Sequence, residues 1–491
     1  MTKSVAIIGG GVAGIAAATA LAEHGLRVRL FEKRPLLGGR ASSFSDATTG
    51  LRLDECQHGT MRCCTNLEQL LTTLGVQDQI QYFERLEFLD GDGKRSVIEG
   101  CGLPAPAHTA LSFLRFGALN WQDKLCIARA LSAMLHTQTS KAREDLAIGD
   151  WLQSMRQTER SIKRFWRPIL VSACNEELDR ISCLHAFKLF RDGFLLNASA
   201  FHFGVPRVPL GTLYNEPTLA YLKARGGRVQ ARTIVDKIHF EGGTNGRVTG
   251  LTLNNGERTE ADYYISALQC DLLLKLLPSE VTDGVAYWEN LRQIELSPII
   301  GAHLWFDRKI ECPPALAILD RNIEWIFNKN LTWRDLKPVS GNESPIIESN
   351  VEGSKSIFDG SKGTYLSMVI SASQRFETMP KDELLALVLA EVRDCLPDAR
   401  AANVVKSLLI RWPKATIAPK PGVEALRPDQ CSPITNLFVA GEWTRTDWPS
   451  TMEGAARSGY RAAEYLLARE GITVSLLAPE LPVSGLARLF V

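Results

Sequence analysis

Gly9, Gly11 and Gly14 stand in a G-x-G-x-x-G spacing, and the carboxylate of Glu32 follows 18 residues after Gly14, with Lys33 beside it. Residues of these types at this spacing can hold a dinucleotide. The first glycine permits a tight turn, the second lets backbone approach a pyrophosphate, and the third lets a helix pack closely on a strand. The helix N-terminus offers free N–H groups and a positive dipole end to phosphate. Glu32 can accept hydrogen bonds from ribose hydroxyls. The elements that must position these groups are also legible. Val5-Ala6-Ile7-Ile8 has the length and composition of a buried parallel strand. A small-residue helix is expected from Ala13 to His24, Gly25 takes the left-handed position at its end, and Val28 to Glu32 form a second strand. A secretory leader or a membrane span competes for the same apolar run. The glycine triplet and the immediate strand argue against both.

Gly38-Gly39-Arg40 opens six residues after Glu32, giving E-x5-G-G-R. An Arg suits a pyrophosphate, because its planar fork gives two charge-assisted bonds to phosphate oxygens. A surface turn with a stray Arg is the plainer alternative. The pattern resembles that of flavoprotein amine oxidases and phytoene desaturases, which implies that the dinucleotide is FAD. A second signature lies near the C-terminus. A strand ends at Gly441-Glu442, and a helix begins near Thr451-Met452. Glu442 can bind a ribityl chain. The helix N-terminus can set N–H groups where negative charge collects on a reduced flavin.

The two ends of the chain therefore build one site, with substrate blocks inserted between them. The expected fold is α/β, a discontinuous Rossmann-type FAD-binding domain (1–90, 212–285 and 426–470) with an α+β substrate-binding domain (91–211 and 286–425) inserted. An apolar tail (471–491) follows. The segment Thr233 to Ile238 with the strands after it resembles the middle flavin-domain segment of the same superfamily. This implies that the backbone of Val235 meets adenine. The 491 residues comfortably fill two domains. With 56 basic and 55 acidic residues there is no polyanion signature, so nucleic acid is not an expected partner. Eleven cysteines include no C-x-x-C and no zinc spacing, so no metal site is expected and a reduced, cytoplasmic chain is the plain reading.

The substrate blocks carry a more specific resemblance. Asp54 to His58, Cys63-Cys64, Leu103 to His108, Phe190 to Phe194, Pro206 to Gly211, Ser297 to Arg308 and Trp448 to Ala455 are similar to the hydroxysqualene dehydroxylases. These form a branch of the phytoene-desaturase-like flavoproteins. Two departures stand out. Glu442 occupies a position where Asp is usual, which lengthens the reach to the ribityl group, and Ala107 one where Leu is commoner. The resemblance implies reductive removal of the hydroxyl of hydroxysqualene, an apolar isoprenoid, to give squalene. Such chemistry needs an acid for the leaving oxygen, a water-poor cavity and rigid placement of carbon. His58 is the first candidate acid, because imidazolium is available near neutral pH. Glu55 and His303 are runners-up, and a structural histidine at a strand-to-helix turn is the plain alternative for His58.

Leu103 to Leu135 is dense in apolar residues, as is the tail. Both patterns fit a face resting on the inner surface of the cytoplasmic membrane, and both fit ordinary docking within the protein. A carotenoid desaturase, moving hydride the other way, is the nearest competing function. An amine oxidase and a non-catalytic flavin binder stand further off.

Overall fold

The apolar run at the N-terminus forms the strand Ser4–Ile8, which is central in a five-stranded parallel sheet. The order across that sheet is Arg228–Gln230, Arg27–Phe31, Ser4–Ile8, Tyr263–Ser266 and Leu437–Val439. Strands covered on both faces have no wet side, which is why Val5 to Ile8 read as an unbroken apolar run. The computed structural model describes residues 2–137, 143–334, 358 and 360–490. The predicted first helix is Val12–Glu23, and Gly25 has a φ of +79° just past its end. The C-terminal helix Met452–Arg469 packs on it. A Cβ at Gly459 would lie 2.2 Å from the carbonyl oxygen of Ala13, so only glycine lets these two helices approach so closely.

A seven-stranded, mostly antiparallel sheet forms the second layer. Its order is Val404–Ile417, Leu296–Phe306, Thr364–Ile370, Trp325–Asn328, Ala315–Ile318, Arg85–Leu89 and Arg95–Glu99. The alternating stretch 81–100 does form strands, with Asp90 to Gly93 as the turn. The boundary drawn at 90/91 nevertheless falls inside this hairpin. Alternation identifies a strand but not the sheet it joins, and here Phe88 pairs in parallel with Ala317.

Residues 107–224 are mainly helical. A wide-turned stretch, Ile162–Trp166, runs straight into the helix Arg167–Cys174. Pro168 has no N–H to give and follows directly on those wide turns, which let the helical path continue past it. The chain stops instead at Asn175, which is left-handed with a φ of 54°. The helix Trp121–His136 is two-faced. Ile127, Ala130 and Met134 are buried, while Trp121 and Leu125 are exposed, as are Leu111 and Leu114 just before. The tail docks on the protein through Ala487 N–H to Ala105 O (2.9 Å) and through Glu480 to Lys188 (2.7 Å). Leu486 and Leu489 remain outward beside that apolar face. Among the described residues, no helix is long and apolar enough to cross a membrane.

Candidate functional site

The glycine motif closes a turn immediately after the first strand. Gly9 N–H donates to Phe31 O (2.8 Å), and a Cβ on Gly14 would sit 2.0 Å from Gly9 O. Glu32 is buried and locks the loop, accepting from Gly10 N–H (2.7 Å) and Arg34 N–H (2.8 Å). Its remaining lone pairs are available to a ribose. Gly38 N–H donates to Gly10 O (2.8 Å), so Gly38, Gly39 and Gly11 lie side by side and form a cradle bare of side chains.

Arg40 then reaches across the molecule. Its Nη2 meets Glu442 Oε2 at 2.6 Å, joining the N-terminal and C-terminal signatures in one ion pair. The other Glu442 oxygen is buried without a hydrogen-bond partner among the described residues, so the longer side chain reaches Arg40 and still leaves an acceptor for a ligand hydroxyl. Gly441 turns with a φ of 149°, and Thr451 caps the helix that starts at Met452. An open backbone cradle and an orphaned carboxylate oxygen, with Arg40 held beside them by Glu442 and Ala415 O, fit the pyrophosphate and ribityl groups of FAD. Lys33 lies at the rim, and Met452 lines the site against the Tyr214 hydroxyl (3.6 Å). Val235 begins the strand Val235–Glu241 with its side chain buried. It does not line the cavity, and nearby Thr233 N–H donates to Glu32 O (2.9 Å).

The cradle opens into a cavity of about 490 Å³. Its far walls are aromatic and aliphatic, including Phe88, Phe194, Phe201, Phe203, Trp325 and Phe327. Phe203, Trp325 and Phe327 stack on one another at 5.2 to 6.3 Å between ring centres. That lining suits a long apolar ligand and excludes water.

Of the three candidate acids, only His58 lines this cavity. Its Nδ1 lies 3.0 Å from Cys56 O, so Nδ1–H donates to that carbonyl and Nε2 is left as the free nitrogen. Burial pushes its pKa below the ordinary histidine value, so the resting ring is neutral at pH 7 and the expected ready imidazolium is not the resting form. Glu55 pairs with Arg34 (2.9 Å), and burial raises its pKa against that pairing. His303 is fully buried within the seven-stranded sheet, with Nδ1 2.9 Å from the Tyr365 hydroxyl, and burial pushes its pKa down to about 3. Neither Glu55 nor His303 is among the lining residues. A strand pattern marks a histidine as buried without saying whether it faces a cavity or the interior of a sheet.

Two residues that matter here were not singled out from the sequence. Lys329 is completely buried, pairs with Asp54 (3.3 Å), donates to Gln57 Oε1 and lies 4.2 Å from the Trp333 ring centre. It thereby fixes Gln57, which lines the cavity and donates to His58 O (2.9 Å). Glu453, also buried, accepts from Leu67 N–H (2.8 Å) and Asn66 N–H (3.2 Å) and ties the C-terminal helix to the start of the helix Thr65–Thr73. The only sequence signal for Lys329 is a lysine directly after an apolar strand, which ordinarily marks a strand leaving the core.

Residues 12–467 match the model of the flavin containing amine oxidoreductases. The chain belongs to that family. Among its relatives, a probable zeta-carotene desaturase of Synechococcus elongatus is 28% identical over 95% of this chain and 99% of its own length. A 15-cis-phytoene desaturase of the same organism is 25% identical over 95% and 96%. Among solved structures, an oxidoreductase from Methanosarcina mazei superposes with a TM-score of 0.68 at 16% identity, covering 93% of this chain and 98% of that one. Putrescine oxidase bound to putrescine gives 0.67 at 16% identity, covering 96% and 100%. The protein is thus an FAD-dependent oxidoreductase, and the two curated relatives just named are carotene desaturases. Neither of these relatives is a hydroxysqualene dehydroxylase.

Proposed function

We propose that this flavoenzyme removes the hydroxyl of hydroxysqualene to give squalene. The observation that carries the reading is the cavity itself: an aromatic chamber for a long hydrocarbon, continuous with the cofactor cradle and holding His58 at its polar end. The resemblance of the substrate blocks to the dehydroxylases supports the choice of substrate. Bound FADH2 supplies the hydride, so alcohol plus FADH2 gives hydrocarbon, FAD and water. The chain's own part is to exclude water, hold the isoprenoid and deliver a proton to the departing oxygen. In this reading His58 Nε2 carries that proton. Because the ring rests neutral, it must first be charged, and the rate should rise as the pH falls.

A specific observation favours a second reading, carotene desaturation, because the relatives that match along nearly the whole chain are zeta-carotene and phytoene desaturases. One anaerobic experiment separates the two. Dithionite-reduced enzyme is given hydroxysqualene, and oxidised enzyme is given phytoene or zeta-carotene, with extraction and mass spectrometry. Squalene formed as oxidised flavin returns establishes the dehydroxylase. A desaturated product from the oxidised enzyme alone establishes the alternative.

An apolar substrate also needs a way in. The exposed Leu111, Leu114, Trp121 and Leu125, joined by Leu486 and Leu489, are flanked by exposed Lys94, Arg115 and Arg488. Phe116 behind this face packs on Phe88 of the cavity wall at 5.2 Å. This reading places the face on the anionic inner surface of the cytoplasmic membrane. Flotation with anionic vesicles, lost in a Trp121→Ser/Leu125→Ser variant, is the supporting result.

A further inference from the structure

In a cavity whose far walls are aromatic and aliphatic, one patch is polar and internally organised. Asn175, left-handed at the end of the helix Arg167–Cys174, is buried and gathers three chain segments around its side chain. Its Nδ2 donates to Thr416 Oγ1 (2.9 Å) and to Ser297 O (3.3 Å), while Oδ1 accepts from Ala372 N–H (2.9 Å). That arrangement sets the hydroxyls of Thr416 and Ser371 on the cavity wall, with Ser172 one helical turn before Asn175.

None of the three hydroxyl protons is committed within the described residues. Thr416 Oγ1 accepts from Asn175, Ser172 Oγ accepts from Trp325 Nε1 (3.0 Å), and Ser371 Oγ makes no hydrogen bond within the described chain. The backbone N–H of Ser371 is already held by Glu324 (2.7 Å), which fixes the residue while leaving its hydroxyl free. A hydroxyl whose proton lacks a partner in an apolar, water-poor space gains most from a ligand oxygen. A pure hydrocarbon would leave all three unpaired.

We infer that Ser371, Thr416 and Ser172, positioned by Asn175, form a subsite that donates hydrogen bonds to the hydroxyl oxygen of an isoprenoid alcohol. The inference rests on the dehydroxylase reading and goes beyond it by assigning what selects the alcohol over the matching hydrocarbon. Sites built to pair a ligand hydroxyl discriminate strongly against the analogue that lacks it, because their own polar groups are then stranded. Asn175 is a positioning residue in this scheme, and the three hydroxyls are the contacts.

The test uses oxidised, FAD-loaded protein, titrated with hydroxysqualene and separately with squalene while the flavin absorbance is followed. Wild type is expected to bind the alcohol roughly tenfold more tightly than the hydrocarbon, the effect of one or two net hydrogen bonds. Ser371→Ala leaves no chain group unpaired and should lower that ratio severalfold without altering squalene binding. Thr416→Ser keeps the hydroxyl and should keep the ratio. Flavin content reports folding for every variant. A wild-type ratio near one, or a ratio unchanged in Ser371→Ala, overturns the subsite. Absence of squalene formation by reduced wild type overturns the dehydroxylase reading separately, because the binding ratio is measured without turnover.

Discussion

The cofactor end and the substrate end of this cavity are built on opposite principles. The cofactor end is a surface of backbone, made of Gly9 to Gly14 and Gly38-Gly39 and braced by one ion pair, Arg40 to Glu442. The substrate end is a surface of side chains drawn from far-apart segments, including Phe88, Phe201, Trp325 and Thr416. A pyrophosphate is recognised by N–H groups and close approach, which demand particular residues at fixed short spacing. An apolar chain is recognised by shape and dryness, which many residue combinations provide. A family can therefore keep its cofactor end while the substrate end drifts.

The contrast can be broken most directly at Gly14. Gly14→Val would force a side chain into the space 2.0 Å from Gly9 O. The expected result is a loss of FAD affinity of at least ~100-fold, about 3 kcal/mol, read as flavin-to-protein absorbance after gel filtration. A variant that keeps its flavin would break the account of the cradle. At the other end, His58→Ala should retain FAD and lower turnover by roughly 100-fold. Wild-type turnover should climb as the pH falls through the histidine range, and the variant should lose that slope.

A smaller effect sharpens the comparison where the two signatures meet. Arg40→Ala should weaken FAD roughly tenfold, and Arg40→Lys should recover only part of that, since an ammonium cannot reproduce the planar fork. Fluorescence of released flavin on dilution measures both.

The smallest expected effect concerns stability. His108 is buried against Phe201 (5.4 Å between rings), neither of its ring nitrogens has a partner among the described residues, and burial pushes its pKa down to about 4. Between pH 6.5 and 4 the unfolded chain takes up this proton and the folded chain does not, so acidification favours unfolding over that window. His108→Phe should remove this contribution and flatten the fall in melting temperature by about one degree for each kcal/mol removed, as expected for a chain of this size. An unchanged pH slope would mean that the buried ring is not responsible.

Much of the fold was legible because it is local. The strand Ser4–Ile8, the helix after it, the stop at Gly25 and the hairpin around Asp90 to Gly93 follow from short-range periodicity and turn chemistry. The boundary at 90/91 failed because sheet membership is a long-range property. Pro168 does not end its helix, because the wide turns of Ile162–Trp166 carry the chain past the missing N–H.

The sequence by itself determined that this is a flavoprotein. Glycine spacing, an acid at the right interval and an arginine are sufficient to specify a backbone cradle, and each acts within a short stretch of chain. Tertiary structure alone decided which polar groups face the substrate. It turned His303 into the interior of a sheet and brought Lys329 under Gln57. It also gathered Ser172, Ser371 and Thr416 around Asn175 from segments hundreds of residues apart. Side-chain direction at a strand or a helix end depends on the neighbours it packs against, and those neighbours are fixed only when distant segments meet.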